Sequence, residues 1–549
     1  MPSESDVNAA IALTRFGLGA RPGEIQRLTD PRGWLEGQIR PSGAANPPVQ
    51  LDTSVERMQA FLDYQRDAQQ VRQARQDMPP PAAGQPGAQP APQPAMETPA
   101  PSRRQQRRAQ RMANAAQTAP MAPQAMPAAP DSAQAAFDAR RDSRRNLVQD
   151  TAQEFLARAR FGATTDAGFA ERWALFWANG FTVSATRFQS AVFMGQYERE
   201  AIRPHVFGKF EDLAVAAEQH PAMLLYLDQA QSIGPDSRAG QRRNAGLNEN
   251  LAREIMELHT VGADGDYSQA DVTEFARALT GWSVPAPRDQ GMDLVRANVA
   301  AGAQGFGGGG QREQALYARG VQAAVRGEPG LNGFVYRAIV HEPGERTVLG
   351  KTYAAGEKDQ GEAILRDLAN RPQTARRLAR RIAAHFVADD PPPSLVAKLE
   401  QAWTRSGGDL AVVARTLVTA PESWSPQPAK IKTPYEFIVS AHRALGTSPQ
   451  RIQPLQQALV AMGQPAFAAP SPEGWPDTAA DWAGPDALVK RLDWSKAVAD
   501  LAQVADPNTV AANALGARLS ERTRLAVARA ESRPEALTLF LMSPEFQRR

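Results

Sequence analysis

The side chains with the clearest capacity for chemistry lie in residues 248–260, which read NENLAREIMELHT. At about 100° per residue, a regular helix would place Arg253, Glu254 and Glu257 on one polar stripe. Two carboxylates beside a guanidinium can tune each other's pKa, as acid–base or metal chemistry requires. We therefore predict Glu254 and Glu257 as acid/base or ligand groups, with Arg253 orienting an anion. His259 can serve as the general base only if the helix ends just before it and the ring turns inward.

Four further residues are candidates for binding rather than catalysis: Asn248, Asn250, Trp282 and Lys351. An alternative interpretation assigns the stripe no chemistry, because Arg253 and Glu257 at i, i+4 also make an ordinary surface ion pair worth about 0.3–0.5 kcal/mol. The sequence identifies neither a metal nor a cofactor for these residues.

The elements that must position these side chains are mostly helices. From residue 150 onward, apolar residues recur at helical spacing through most of the chain, which predicts a mainly α, single large multi-helix domain. Ser268 and Asp271 form a capping box at the start of an amphipathic helix that is predicted to end at Gly281. Residues 334–340 and 346–353 are β-prone, and we predict that they pair as one small hairpin.

Residues 78–146 interrupt this pattern with a segment rich in Pro, Ala, Gln and Arg. Because it has few large apolar residues, it cannot bury enough surface to offset its ordering entropy, so we predict a disordered insert. The insert separates an N-terminal helical part, residues 1–77, from the main helical part, residues 147–549. Within the main part, residues 285–312 are predicted to form a Gly-rich loop.

The positive charge of the chain belongs to the insert. The 549 residues carry 62 Lys and Arg against 59 Asp and Glu, a net charge of +3. Residues 101–146 alone hold nine Arg and three Asp, so the remaining chain is mildly acidic. A basic segment without interleaved aromatic residues is typical of a solvated linker, and nucleic acid is therefore not expected as a partner.

Several classes of site are excluded by residue types and spacing. The chain has no cysteine, which rules out disulfides, zinc–thiolate sites and cysteine nucleophiles. It contains neither H-E-x-x-H nor G-x-S-x-G, the common zinc-protease and serine-hydrolase signatures. The first residues show no secretory signal, and no apolar run is long enough for a membrane span. These features predict a cytoplasmic protein by default.

Residues 247–282, LNENLAREIMELHTVGADGDYSQADVTEFARALTGW, resemble the signature of the DUF1800 family of bacterial proteins. Other segments resemble the same family in the same order: ERWALFWANGFTVS (171–184), REAIRPHVFGKFEDL (199–213), HPAMLLYLDQAQSIGP (220–235), HEPGERTVLGKTY (341–353), RRIAAHFVADDPP (380–392) and SPEFQRR (543–549). The resemblance covers the chain apart from the insert and the Gly-rich loop.

The resemblance implies one helical architecture, but no activity, because the function of the family is unknown. Family members often carry export signals and often neighbour genes of a second family similar to sulfatases and alkaline phosphatases. This implies a periplasmic or exported protein, with the product of such a neighbouring gene as a partner. Where the family usually reads F-W-H-N-H-F, this chain has Ala178 and Gly180 in place of both histidines. If those histidines bind metal in relatives, this chain has lost part of that site.

Two functions remain open from the sequence. The first is a hydrolase-type enzyme that acts on an envelope or secreted component through the Glu/Arg/His cluster. The second is a non-catalytic helical scaffold that uses the Arg-rich insert as a tether to a partner.

Overall fold

A computed structural model describes residues 3–76, 131–242, 246–286, 333–504 and 506–549. These residues fold into helices joined by short turns, which confirms the mainly α class. Within these ranges, every helix is too short or too polar to cross a bilayer. The α-helices are Glu4–Ile11, Glu24–Arg27, Pro31–Glu36, Ser54–Gln76, Asp131–Thr164, Gly168–Gly180, Phe188–Ala191, Met194–Gln196, Phe210–Glu218, Pro221–Tyr226, Asn250–Glu254, Gln269–Leu279, Lys358–Ala369, Pro372–Phe386, Pro393–Ser406, Leu410–Thr419, Pro434–Ala444, Ile452–Ala461, Ala479–Trp482, Pro485–Leu501, Pro507–Leu515, Glu521–Ala528, Arg533–Leu541 and Pro544–Gln547.

Tighter and wider helical turns extend several of these helices. The 3₁₀ turns are Gln229–Gln231, Gly240–Arg242, Ala338–Val340, Pro421–Trp424 and Gly516–Arg518, and the π-helical turns are Ala12–Phe16, Tyr197–Ile202 and Ile255–His259. A π-helical turn inserts an extra residue into the helix and re-aims the side chains that follow it. It therefore changes which face of the helix those side chains occupy.

The predicted hairpin between residues 334–340 and 346–353 is wrong in its pairing. Val335–Tyr336 pairs instead with Trp282–Ser283, and Arg346–Val348 pairs with Lys351–Tyr353. The second run folds back on itself because Leu349 and Gly350 both have positive φ, 48° and 76°, as in the tight turns that suit two-stranded ribbons. The sheet content is therefore two small antiparallel pairs rather than one.

The capping box predicted at Ser268 and Asp271 is confirmed. The Ser268 side chain accepts from the Asp271 backbone N–H, and the Asp271 carboxylate accepts from the Ser268 N–H at 2.7 Å. The helix begins at Gln269 and its apolar residues, including Val272 and Phe275, are fully buried. Gly281 follows the helix with φ +94°, a left-handed conformation that glycine adopts readily.

The predicted insert 78–146 is wrong at its end, because residues 131–146 belong to the helix Asp131–Thr164. Ion pairs at i, i+3 support this stretch, as between Asp138 and Arg141 at 3.1 Å. Residues 77–130 and most of the predicted Gly-rich loop lie outside the described residues. The chain divides into two compact units. The larger unit combines Met1–Leu62 with Asn146–Arg549, and the smaller unit is Asp63–Arg145. The division into domains that we drew from the sequence stays a prediction.

Aromatic side chains fill the core of the larger unit around helix Gly168–Gly180. Trp173 and Trp177 are buried at 0% and 1% exposure, one helical turn apart. Trp173 stacks on Phe207 at a ring-centroid distance of 6.1 Å and contacts Phe386 at 5.7 Å. Each such pair adds roughly 0.5–1.5 kcal/mol beyond area burial, so this helix is held firmly against its neighbours.

Buried ion pairs tie the π-helical turn Tyr197–Ile202 to the same helix. Arg203 makes a two-pronged contact with Glu171, at 2.7 and 2.8 Å, and also bonds Glu198 at 2.6 Å. Glu198 in turn accepts from Arg158 at 3.0 Å. Because buried charges are tolerated only when they are paired, this network fixes the positions of all four groups.

His220 caps helix Pro221–Tyr226 and shows how burial holds a histidine neutral. Its Nδ1 accepts from the Ala222 N–H at 3.2 Å, so Nε2 carries the proton and donates to Ser54 Oγ at 2.9 Å. This tautomer makes Ser54 the acceptor, which excludes a serine activated by this imidazole. Burial, with a smaller contribution from Arg199, lowers the pKa of His220 to about 3.

We expect the folded state to lose stability as the pH falls below about 6.5, in part through His220. The unfolded chain binds a proton near pH 6.5 and the folded chain only near pH 3. Between these values the unfolded state holds more protons, so the group costs about 1.4 kcal/mol per pH unit as the solution is acidified. Urea unfolding at pH 7, 6 and 5 measures this slope. His220→Asn, which keeps a capping side chain, should flatten it, and an unchanged slope would refute the assignment.

Candidate functional site

A cavity of about 560 Å³ lies inside the larger unit. Its walls come from helices Gly168–Gly180 and Pro372–Phe386, from residues 430–436 and from the loop 463–478. Pockets that combine apolar walls with a few converging polar groups are typical small-molecule sites. The charged side chains that line it are Arg158, Arg172, Glu198, Arg377, Arg381, His385, Asp389, Lys430, Glu436, Glu473 and Asp477.

Helix Pro372–Phe386 supplies the positive wall of the cavity. Arg377, Arg381 and His385 recur at i, i+4 and i+8, so they lie along one face of this helix. Among the described residues, neither guanidinium has a carboxylate within 4.0 Å, and Nη1 of Arg377 is buried without a partner. Burial and the neighbouring Arg381 lower the pKa of Arg377 to about 10. Burial also lowers the pKa of Arg381, against the opposing pull of Asp477.

His385 and Asp477 form a dyad in the same cavity. His385 Nδ1 lies 2.8 Å from Asp477 Oδ2, and because a carboxylate only accepts, Nδ1 carries the proton of the neutral ring. Nε2 is shielded from solvent and has no partner in the described part of the chain. Burial lowers the pKa of His385, although Asp477 opposes that shift. The ring is therefore neutral near pH 7 and keeps a basic nitrogen that no group in the described part of the chain uses.

Asp477 is held in its charged form by the cations around it. Lys430 Nζ lies 3.4 Å from Asp477 Oδ1, and Arg549 Nη2 lies 3.5 Å from the same oxygen. Burial by itself raises the pKa of Asp477, but His385, Arg549 and Lys430 together outweigh it and lower that pKa. A charged Asp477 is what fixes the proton of His385 on Nδ1.

The loop 463–478 reaches the cavity because the end of helix Gly168–Gly180 anchors it. Asn179 Nδ2 donates to the Trp475 carbonyl at 2.9 Å, and Asn179 Oδ1 accepts from the Trp475 N–H at 2.8 Å. Gly474 approaches so closely that a Cβ there would lie 2.5 Å from the Asn179 backbone oxygen. Asn179 is thus the residue that places Asp477, two positions beyond Trp475, beside His385.

Gly474→Ala is expected to destabilise the protein by about 1–3 kcal/mol from backbone strain, with a further cost from the clash with Asn179. Gly474 has φ +94° and no room for a methyl group. Gly463→Ala is the matched control, since Gly463 has φ +88° but a Cβ there would meet no atom within 4 Å. Urea unfolding of both variants separates the cost of backbone strain from the cost of the clash. Equal losses of unfolding free energy in the two variants would contradict the close approach of Gly474 to Asn179.

The predicted catalytic residues Arg253, Glu254 and Glu257 do not line this cavity. Arg253 makes two partly exposed ion pairs, with Glu249 at 3.2 Å and with Glu257 at 3.5 Å. Glu254 is partly buried, and burial raises its pKa, with Glu257 adding to the shift and His259 opposing it. The structure brings Arg253 and Glu257 into contact, and a catalytic role for the three side chains stays a prediction.

The regular helix predicted over residues 248–260 is wrong in its second half. The α-helix ends at Glu254 and the π-helical turn Ile255–His259 follows. Through this turn, His259 is buried against Phe181, at a ring-centroid distance of 5.0 Å, and its Nδ1 lies 2.7 Å from Glu218 Oε1. That approach lacks hydrogen-bond alignment, so both buried groups are without a hydrogen bond among the described residues. The role of His259 as a general base stays a prediction.

The four predicted binding residues also lie outside the lining of the cavity. Asn248 donates to the Leu227 carbonyl at 2.9 Å, and its side-chain oxygen accepts from the Asn250 N–H at 3.0 Å. Trp282 is buried in a strand, while Lys351 is exposed and pairs with Asp367. These contacts are those of structural residues, and a binding role for them stays a prediction.

Of the two positions at which the chain departs from F-W-H-N-H-F, Ala178 lines the cavity, and Gly180 lies beside Arg381, which also lines it. A Cβ on Gly180 would lie 4.0 Å from Arg381 Nη1. A side chain at position 180 would therefore contact the positive wall at Arg381. Within the described residues, no three His, Asp or Glu side chains are grouped to hold a metal ion.

The sequence interpretation missed Arg377, Arg381, His385 and Asp477. The spacing of the first three is a usable signal, since it repeats about every turn along one helix face, beside the face that carries the buried Ile382. Asp477 has no such signal, because it follows His385 by 92 residues and no local pattern links them.

Comparison with known proteins identifies a single family. The model of the family described as protein of unknown function (DUF1800) matches residues 11–548. The curated proteins and the solved structures that were compared contain no match.

Proposed function

Because the chain belongs to the DUF1800 family of unknown function, we propose a function from the geometry of its cavity: the cavity is the active site of a hydrolase-type enzyme for an anionic substrate. Arg377 and Arg381 bind the anionic group, and His385, oriented by Asp477, is the general base. One observation carries this proposal. Two guanidiniums without carboxylate partners share a cavity with a neutral imidazole whose Nε2 has no partner among the described residues.

The unpaired guanidiniums support an anionic ligand on energetic grounds. Glu473 acts electrostatically on both arginines and Asp477 on Arg381, but neither makes an ion pair with them. A buried or partly buried charge that is incompletely balanced is costly, and an arriving carboxylate, phosphate or sulfate group offsets that cost. The planar fork of arginine also suits the geometry of these groups. Other lining cations are already paired, as in the contact of Arg172 with Glu436. The ligand charge is therefore expected at Arg377 and Arg381.

The dyad supports proton transfer. In a hydrolytic step, His385 Nε2 would accept the proton of an attacking water while the new bond to the substrate forms, and then return it to the leaving group. Asp477 would hold Nδ1–H in place and stabilise the imidazolium that forms transiently. A neutral ring is a requirement for this step, and the lowered pKa of His385 meets it.

An envelope or secreted component remains the proposed substrate. The family resemblance supports this part of the proposal, and the cavity does not. The cluster of Arg253, Glu254, Glu257 and His259 remains a second candidate centre, supported by the raised pKa of Glu254. The alternative of a non-catalytic scaffold would be favoured if the cavity binds no anion.

Binding of phenyl phosphate, measured by isothermal titration calorimetry, tests the anion site. Arg377→Gln combined with Arg381→Gln should weaken it about 10- to 100-fold, since hydrogen bonds to charged groups contribute about 1.5–3 kcal/mol. The matched control is Arg376→Gln with Arg380→Gln, on the same helix but 73% and 63% exposed. This pair should change affinity less than about threefold. Equal losses in both double variants, or no binding to the wild type, would refute the proposal.

A further inference from the structure

A second group of cations is buried outside the cavity lining, within electrostatic reach of two lining residues, Arg172 and Glu436. We define the buried cation cluster as Arg15, Lys432 and Arg518, because Arg518 lies close enough to the other two for its charge to lower the pKa of both. Arg15 is 0% and Lys432 2% exposed, and Arg518 is partly buried. None of the three has a carboxylate within 4.0 Å in the part of the chain that the structure describes, and none lines the cavity. The proposed function uses none of these side chains.

The contacts of the cluster leave donors unused. Arg15 donates to the carbonyls of Ser423 and Gln427, both at 2.7 Å, while its Nε has no partner among the described residues. Arg518 donates through Nη1 to Thr14 Oγ1, and its Nε and Nη2 are buried and equally unpartnered there. Nε and Nη2 form one edge of the guanidinium, the edge that binds two oxygens of a phosphate or sulfate side by side.

Two carboxylates act on the charge of the cluster, Glu545 on Arg518 and Glu436 on Lys432, but within the described residues neither makes an ion pair with it. Lys432 Nζ lies over the Phe546 ring at 3.9 Å, which is a weak substitute for a counter-ion. Burial and then Arg518 and Arg172 lower the pKa of Lys432 well below its usual value. Glu436, the carboxylate that opposes this shift, is already engaged by Arg172 and Arg549.

Water can satisfy unused N–H donors, but it cannot offset net charge in the interior. We propose that the buried cation cluster is an internal binding site for one tetrahedral oxyanion, phosphate or sulfate, held by the Nε/Nη2 edge of Arg518 with Lys432 and Arg15. The ligand stabilises the fold rather than taking part in the reaction of the cavity. Whether this ligand binds is therefore independent of the proposed function.

Thermal unfolding in matched buffers tests this site. The wild type in about 5 mM sodium phosphate or sodium sulfate is compared with sodium chloride at equal ionic strength. A specific site raises the melting temperature by roughly 3–6 °C in at least one oxyanion, through preferential binding to the folded state. The response to phosphate against that to sulfate identifies the anion. Arg518→Gln and Lys432→Met should each reduce the rise to below about 1 °C.

Two controls make the outcome decisive. Arg522→Gln removes an exposed arginine from the same region and should keep the full rise. Arg377→Gln with Arg381→Gln empties the cavity site and should also keep it. In chloride, Lys432→Met should melt at or above the wild type, because it removes an uncompensated buried cation. No rise in the wild type, or a rise kept by Arg518→Gln and lost by the cavity variant, would overturn the proposal.

Discussion

Glu436→Gln is expected to lower the free energy of unfolding by about 3–5 kcal/mol, the usual cost of removing one partner from a buried ion pair. Glu436 contacts Arg172 through one oxygen and Arg549 Nε at 3.3 Å through the other. Both arginines are almost fully buried. Burial opposes the charge of Glu436, but Arg172 and Arg549 outweigh it and hold its pKa far below the usual range. The neutral amide would leave the buried Arg172 without its counter-charge, and Arg549 with only its 3.5 Å contact to Asp477.

Glutamine is the chosen replacement because it removes the negative charge of Glu436 and keeps nearly the same shape. Thr433 and Glu436 form a capping box in which the Thr433 N–H donates to Glu436 Oε2 at 2.9 Å, and glutamine can take the same part. Glu422→Gln is the control: it breaks the partly exposed pair with Lys398 and should cost less than about 1 kcal/mol. Urea unfolding at pH 7 measures both. Similar losses for the two variants would show that Glu436 does not balance the buried arginines.

Asp477→Asn is expected to reduce hydrolytic turnover by about 10²- to 10⁴-fold if His385 is the general base. Asparagine can keep a hydrogen bond to the ring, but it removes the charge that holds the proton on Nδ1 and stabilises the imidazolium. The pKa of His385 should fall further, because Asp477 raises it more than Glu436, the other carboxylate that acts on the ring. A panel of p-nitrophenyl phosphate, sulfate and acetate gives the rates, and histidine NMR gives the pKa.

The control for Asp477 is Asp389→Asn. Asp389 also contacts Lys430, at 2.5 Å, but forms no ion pair with His385, whose Nδ1 bonds Asp477. The Asp389→Asn variant should therefore retain most of the turnover. His385→Gln should lose as much turnover as Asp477→Asn. If the Asp389 and Asp477 variants lose turnover equally, with equal falls in melting temperature, the dyad is a structural contact and His385 is not the base.

The sequence by itself determined the features that depend on neighbours within a few residues. The mainly α class follows from apolar spacing, and the helix Gln269–Leu279 begins where Ser268 and Asp271 predict. Capping and helix amphipathicity are interactions at i, i+3 and i+4, so a short window of residues contains all their partners. The family, too, could be identified from contiguous motifs, and its match covers residues 11–548.

Only the tertiary structure decided which polar side chains share an enclosed space. The sequence favoured Glu254 and Glu257 because they are close along one helix, whereas the cavity brings His385 together with Asp477, 92 residues further on. The π-helical turn that buries His259 likewise depends on packing against Phe181. Burial and pairing set the chemistry of a charged group, and both are properties of elements packed from distant parts of the chain. No local pattern encodes them.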